Sequence, residues 1–93
     1  MPIVFHIPSP LREFTQGRTQ VTIEASPATA QEALEALWEL HPGVRDRVLN
    51  ERCEVRTHIN VFVGGANIRW TGGLATALPP DAEISIFPAV SGG

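Results

Sequence analysis

Apolar residues recur at every second position in four short segments of the chain, which is the pattern of half-buried strands. The first segment holds Ile3, Phe5 and Ile7 and is stopped by Pro8 and Pro10. The others cover residues 20–25, 58–63 and 83–87, with Val21, Ile23, Ile59, Val61, Val63, Ile84 and Ile86 on their apolar phase. A looped connection containing Gly17 joins the first two strands.

One segment has helical spacing instead. Thr29 and Glu32 form the pattern of a capping box, and the following apolar residues are Ala30, Ala33, Leu34, Leu37 and Trp38. Pro42-Gly43 is expected to end this helix. Val44, Val48 and Leu49 indicate a further short helical turn, and residues 51–57 are expected to form a loop.

The segment after the third strand predicts a hairpin. Gly64-Gly65-Ala66-Asn67 supplies its turn, and Ile68-Arg69-Trp70 is expected to form a short fourth strand. The order strand, strand, helix, strand, strand, strand fits a mixed sheet of about five strands packed on one main helix. This is an α+β fold of the β-grasp (ubiquitin-like) type, with a domain at 1–87 and a flexible tail at 88–93.

The composition is that of one ordinary globular domain: 93 residues, 43% hydrophobic, with a mean hydropathy near zero. No segment is apolar enough for a membrane span or a signal peptide, and the single cysteine forms no internal disulfide, so a cytoplasmic protein is expected. A net charge of −3 argues against nucleic-acid binding. All seven basic residues are arginines, so the chain offers no lysine for an isopeptide bond with itself.

The sequence ends in Gly92-Gly93, after the small residues Ala89, Val90 and Ser91. A carboxylate on a stalk without bulky side chains can enter a narrow active site of another protein, because glycine has no Cβ to block a close approach. The simpler alternative is a frayed end with no role.

The Gly-Gly end, the strand order and the segment Arg69-Trp70-Thr71-Gly72-Gly73-Leu74-Ala75-Thr76-Ala77-Leu78 together resemble the ubiquitin-like sulfur carriers of the MoaD and ThiS type. The Gly-Gly-Leu-Ala-Thr run is most similar to the cysteine-biosynthesis carriers of the CysO type. The resemblance implies a carrier rather than an enzyme, with no bound cofactor.

In such carriers an E1-like activating enzyme uses ATP to adenylate the terminal carboxylate, here that of Gly93, and sulfur then replaces AMP to give a thiocarboxylate. The sulfur passes to an accepting enzyme. The resemblance favours a pyridoxal-phosphate cysteine synthase, and next the large subunit of molybdopterin synthase. A ubiquitin-like modifier and an inert interaction module remain as alternatives.

The residues expected to meet these partners lie in the tail and beside it. Gly92 is expected to let the tail fit a narrow channel, Pro88 and Val90 to help aim it, and Ala89 and Ser91 to contact the partner. Phe62 and Phe87 lie on the polar phase of their strands, so neighbouring strands would place both rings in one exposed apolar patch. The alternative is that a loop carrying Trp70 covers them.

Other chemistry-bearing residues give weak signals. Cys53 with His58 could suggest a nucleophile or a persulfide site, but no orienting group is evident. His6, His41 and His58 are too scattered for a metal site, and no paired cysteines assist them. The glycine pairs at 64–65 and 72–73 have neither dinucleotide nor P-loop spacing and are expected to form turns. One cysteine also excludes an iron–sulfur ferredoxin.

Overall fold

The computed structural model describes residues 3–24 and 26–88. Strands β1 (Ile3–His6) and β2 (Gln20–Ile23) are followed by helices α1 (Ala30–Leu40) and α2 (Pro42–Val48). Strands β3 (Ile59–Val63), β4 (Ala66–Asn67) and β5 (Glu83–Pro88) complete the described chain. Short 3₁₀ helices occupy Ser9–Phe14, Ile68–Trp70 and Gly73–Ala75.

The five strands form one mixed sheet in the order β2-β1-β5-β3-β4. The central pair β1 and β5 is parallel, and the other neighbouring pairs are antiparallel. Helix α1 packs on one face, where the apolar phase of each long strand is buried, except for the partly buried Val63, together with Ala30, Ala33, Leu34 and Leu37. The predicted α+β, β-grasp fold is confirmed.

The start of α1 differs from a standard capping box in one detail. Thr29 Oγ1 accepts the Glu32 N–H at 3.3 Å, as predicted. The Glu32 carboxylate, however, accepts the N–H of Ala28 at 3.2 Å rather than that of Thr29. One side chain therefore satisfies a free N–H inside the helix and the other orders the chain before it.

One predicted element is wrong and two predicted boundaries change; the fourth strand lies at Ala66–Asn67, which were predicted as turn residues. Ile68-Arg69-Trp70 is a 3₁₀ turn and not a strand, because the Asn67 side chain accepts the Arg69 N–H at 3.0 Å and ends the ladder after two residues. Pro42-Gly43 does end α1, but Pro42 also begins α2, since proline fits the first helical position. Strand β5 extends one residue further than predicted, to Pro88.

None of the helices in the described part of the chain is both long and apolar enough to cross a membrane.

Candidate functional site

The predicted site centres on the tail, whose root lies in the sheet. Pro88, the last described residue, pairs with Ile59 on β3 and is half-buried. Ala89, Val90, Ser91, Gly92 and Gly93 lie outside the described residues, so their predicted roles remain predictions. The described surfaces around Pro88 are therefore those that a protein holding the tail would meet first.

An aromatic pair lies beside the root of the tail, on the sheet face opposite α1. Strands β3 and β5 are neighbours, and the ring centroids of Phe62 and Phe87 are 5.7 Å apart in an edge-to-face arrangement. Phe87 remains 50% exposed, and Trp70 is itself 83% exposed and so packs against little. The Trp70 loop therefore does not bury the pair, which we call the Phe62–Phe87 surface.

A polar network adjoins this surface on the same face. His6 Nε2 lies 2.7 Å from Glu83 Oε1, and Gln20 Nε2 lies 3.5 Å from His6 Nδ1. Its members come from β2, β1 and β5, and His6 and Glu83 are 77 positions apart in sequence. The sequence offered one signal for this network, the position of each residue on the polar phase of its strand. That signal does not say which strands are neighbours. The open face thus combines an apolar half with a hydrogen-bonded half.

Arg69 holds the beginning of β3, against which the tail root pairs. Its guanidinium donates to the backbone carbonyls of Arg56, Thr57 and Ile59 at 2.8–3.0 Å and to Asn60 Oδ1 at 3.2 Å. Strand β4 pairs only with Phe62 and Val63. The Arg69 and Asn67 side chains form hydrogen bonds with the part of β3 that has no partner residue on β4. The planar group, with five donors, suits this task.

Replacing Arg69 by lysine should lower the free energy of unfolding by about 1–2 kcal/mol, because an ammonium does not reach three carbonyls and an amide together. Urea denaturation measures the effect. Arg52→Lys is the matched control: Arg52 is exposed, and its side chain makes no hydrogen bond within the described residues. Equal stability of the two variants would contradict the assigned role of Arg69.

The loop that carries the family resemblance has a structural role. Gly72 and Gly73 have φ values of +117° and +63°, which favour glycine. The buried Thr76 donates its hydroxyl to the Gly73 carbonyl at 2.6 Å, and its own carbonyl accepts the Ala30 N–H at 2.9 Å. The loop is thereby tied to the first turn of α1.

Cys53 is exposed and has no catalytic partner in the described part of the chain. Its sulfur accepts a hydrogen bond from Arg45 at 3.2 Å, and not from His58. Within residues 3–24 and 26–88, no three His, Cys, Asp or Glu side chains come together as metal ligands. The described residues thus hold an open sheet face at the tail root but no assembled catalytic or metal centre.

The last described strand, β5, lies at the centre of the β-grasp sheet. This arrangement is typical of ubiquitin-like proteins. The sequence model of the ThiS family matches residues 5–93. The chain therefore belongs to the ThiS family of ubiquitin-like sulfur carriers.

Individual relatives agree with this assignment. The chain is 32% identical to the sulfur carrier protein CysO of Mycobacterium tuberculosis over 95 residues, covering 100% of both. It is 35% identical to small archaeal modifier protein 1 of Haloferax volcanii, covering 89% of the chain and 91% of the relative. The CysO-containing crystal structure "Amycolatopsis orientalis BexX/CysO complex" superposes with a TM-score of 0.87 at 33% identity, covering 98% and 99%.

Proposed function

We propose that this chain carries sulfur as a thiocarboxylate on Gly93 and delivers it for cysteine biosynthesis. The observation that carries the proposal is the full-length similarity to CysO, a protein named as a sulfur carrier. The geometry supports it, because the exposed Phe62–Phe87 surface adjoins the tail root at Pro88. The tail would enter the active site of a partner while the sheet face docks on that partner's surface.

The proposed chemistry begins with the Gly93 carboxylate, which is a poor electrophile. Its oxygen attacks the α-phosphorus of ATP on an E1-like activating enzyme, and pyrophosphate leaves. Hydrosulfide then attacks the acyl carbon of the mixed anhydride, AMP leaves, and one proton is released. The product is an anionic thiocarboxylate, nucleophilic at sulfur as thiolates are. ATP and the catalytic groups belong to the partner, and this chain contributes position and one reactive atom.

The sulfur acceptor is proposed to be a pyridoxal-phosphate cysteine synthase, with the exchange taking place in the cytoplasm. The thiocarboxylate sulfur would add to the alkene carbon of an aminoacrylate held by that enzyme, with a proton added to the neighbouring carbon, to give a thioester. The acyl group would then move from sulfur to the amino nitrogen, and a protease would hydrolyse the resulting peptide bond and free the cysteine from Gly93. Delivery to the large subunit of molybdopterin synthase instead would leave the carrier chemistry intact and change only the pathway.

The test is mass analysis of the chain after incubation with ATP, an activating enzyme and sulfide. Cys53→Ser is used so that any thiol-reactive group formed is new. Replacing an oxygen by sulfur raises the mass of the chain by nearly the same amount as an oxidation does. The product is therefore alkylated, and the alkyl label is located on the tryptic peptide 70–93. We expect one label, at Gly93, that is lost when Gly93 is deleted. A label that survives deletion of Gly93 would contradict the proposal. So would the absence of any label when the activating enzyme used is active on another carrier.

A second candidate function has its own support. The similarity to small archaeal modifier protein 1 favours a modifier that joins Gly93 to lysines of other proteins. The modifier itself contains no lysine, so each modified lysine of a target protein would carry one copy of it and not a polymer linked through lysines. Covalent conjugates recovered from cells would favour this function, and a free thiocarboxylate would favour the carrier.

A further inference from the structure

Strand β2 (Gln20–Ile23) forms one edge of the sheet and pairs only with β1. Beside this pair, the Ile7 N–H donates to the Thr19 carbonyl at 2.9 Å. The backbone groups of an antiparallel strand alternate between its two sides, so the odd-numbered residues of β2 face β1. Gln20 and Thr22 therefore face outward, and in the described residues the backbone of neither bonds to a loop or a helix.

The two edges of the sheet differ in how well they are protected. Strand β4, at the other edge, has two residues and leads into the turn in which the Asn67 side chain accepts the Arg69 N–H. Strand β2 has four residues and contains no charged residue, proline or bulge, the features that usually prevent an edge from pairing. Of the two edges, β2 is therefore the one able to accept a further strand.

Two charges of opposite sign flank this edge. Arg18 lies two positions before Gln20, and Glu24 lies two positions after Thr22. Both are exposed, and within the described part of the chain neither forms an ion pair. If two β2 strands pair antiparallel about Val21, Gln20 of each copy lies opposite Thr22 of the other, and each such pair exchanges two backbone hydrogen bonds. The same register brings Arg18 of each copy to Glu24 of the other.

We propose that β2 pairs antiparallel with β2 of a second copy of this chain and joins two five-stranded sheets into one. The edge is complementary to itself in this orientation, whereas parallel pairing would place like charges together. Two-fold symmetry makes every contact twice. This self-complementarity in both hydrogen bonds and charge is what commits the edge to a second copy.

The dimer leaves the carrier site accessible. Strand β1 separates β2 from β5, so the new contact lies away from the tail root at Pro88 and from the Phe62–Phe87 surface. Residues opposite each other in a sheet share a face, so the open faces of both copies lie on the same side. The dimer would therefore present two tails and two docking surfaces together.

Sedimentation velocity of the full-length chain over a range of concentrations measures the association. A reductant is present, because the exposed Cys53 could otherwise link two copies by a disulfide. The variants are Arg18→Glu, Glu24→Arg, their equimolar mixture, and the double variant with both changes. Arg52→Glu and Glu51→Arg are the matched controls, since they make the same charge changes at exposed residues outside β2. Circular dichroism and the urea midpoint verify folding.

We expect wild type to dimerise with a Kd on the order of 0.1 mM, because two short strands form only a small interface. Arg18→Glu and Glu24→Arg each place like charges at both ends of the pair and should raise Kd about tenfold or more. Their mixture should form a heterodimer of about wild-type affinity, since each variant carries the charges that the other lacks. The double variant should again form a homodimer, and both controls should match wild type.

Amide hydrogen exchange locates the contact independently of the variants. The N–H groups of Gln20 and Thr22 should exchange severalfold more slowly at about 1 mM chain than at about 10 μM, because pairing buries both donors. Exchange at Phe62 and Phe87 should not depend on concentration.

Four results would overturn the proposal. These are a wild type that stays monomeric at about 1 mM, single variants that dimerise like wild type, and a mixture of folded variants that forms no heterodimer. Concentration-dependent protection confined to Phe62 and Phe87 would show association through the open face instead. Protection of β2 by the activating enzyme alone would assign the edge to another protein and likewise exclude the dimer. None of these measurements involves the thiocarboxylate, so the proposed function is tested separately.

Discussion

Gly92→Val is expected to slow thiocarboxylate formation by on the order of a hundredfold or more while leaving the unfolding transition unchanged. A narrow channel that accepts backbone without side chains would reject the branched residue, and displacement of the reacting carboxylate by about 1 Å alone costs about 10²-fold in rate. The loss should fall mainly on the rate of adenylation, since the sheet surfaces still dock. Gly92→Ala should give a smaller loss in the same direction.

The measurement is the rate of ATP-dependent adenylation at saturating carrier, with urea denaturation run in parallel. Gly65→Ala is the matched control: a Cβ at Gly65 would meet nothing within 4 Å, and the residue lies in the β3–β4 turn, at the end of β3 opposite the Pro88 pairing. Wild-type rates for Gly92→Val would mean that no narrow channel receives the tail, and would favour an inert terminus.

Phe87→Ala is expected to weaken binding of the activating enzyme by about 30-fold, corresponding to about 2 kcal/mol for an aromatic residue at the centre of an interface. Phe87 is half-exposed and stacked edge-to-face on Phe62, so its ring is held in one orientation before any partner arrives. A fixed ring loses little conformational freedom on binding, which favours affinity.

Isothermal titration of the activating enzyme with each variant measures this effect. Leu40→Ala is the control, because Leu40 is 57% exposed but ends helix α1, on the other side of the sheet. It should bind within twofold of wild type. Similar losses for both variants would mean that the Phe62–Phe87 surface is not the docking site. The network of His6, Gln20 and Glu83 is then the next region of that face to substitute.

Much of the fold could be predicted because each element's own residues specify it. Alternation in Glu83-Ile84-Ser85-Ile86-Phe87 marks a strand whichever partner it has, and the Thr29 and Glu32 pair marks a helix start. The wrong prediction, a strand at 68–70, concerns three residues, too few to show a periodicity. There the Asn67 side chain accepts a hydrogen bond from the Arg69 N–H, and a 3₁₀ turn forms in place of a strand.

The candidate site was predictable to a smaller extent. That Phe62 and Phe87 share a face followed from their phase within each strand, but their contact required β3 and β5 to be neighbours. A groove lined by Phe14, Arg47 and Pro88 was missed altogether. Its lining comes from the 3₁₀ helix at 9–14, from α2 and from the paired residues Ile59 and Pro88 at one end of the β3–β5 ladder, and no local pattern links these segments.

By itself the sequence determined the four longer strands and the main helix, the side of each that faces the core, and a Gly-Gly segment able to serve as a carrier tail. Those properties are local, since they depend on residues a few positions apart. Only the tertiary structure decided that Glu83 meets His6, that Arg69 binds three backbone carbonyls at the beginning of β3, and that the Arg47 guanidinium lies over the Phe14 ring. These contacts depend on which distant segments pair and in what register, and that is settled by burial of all the apolar faces together.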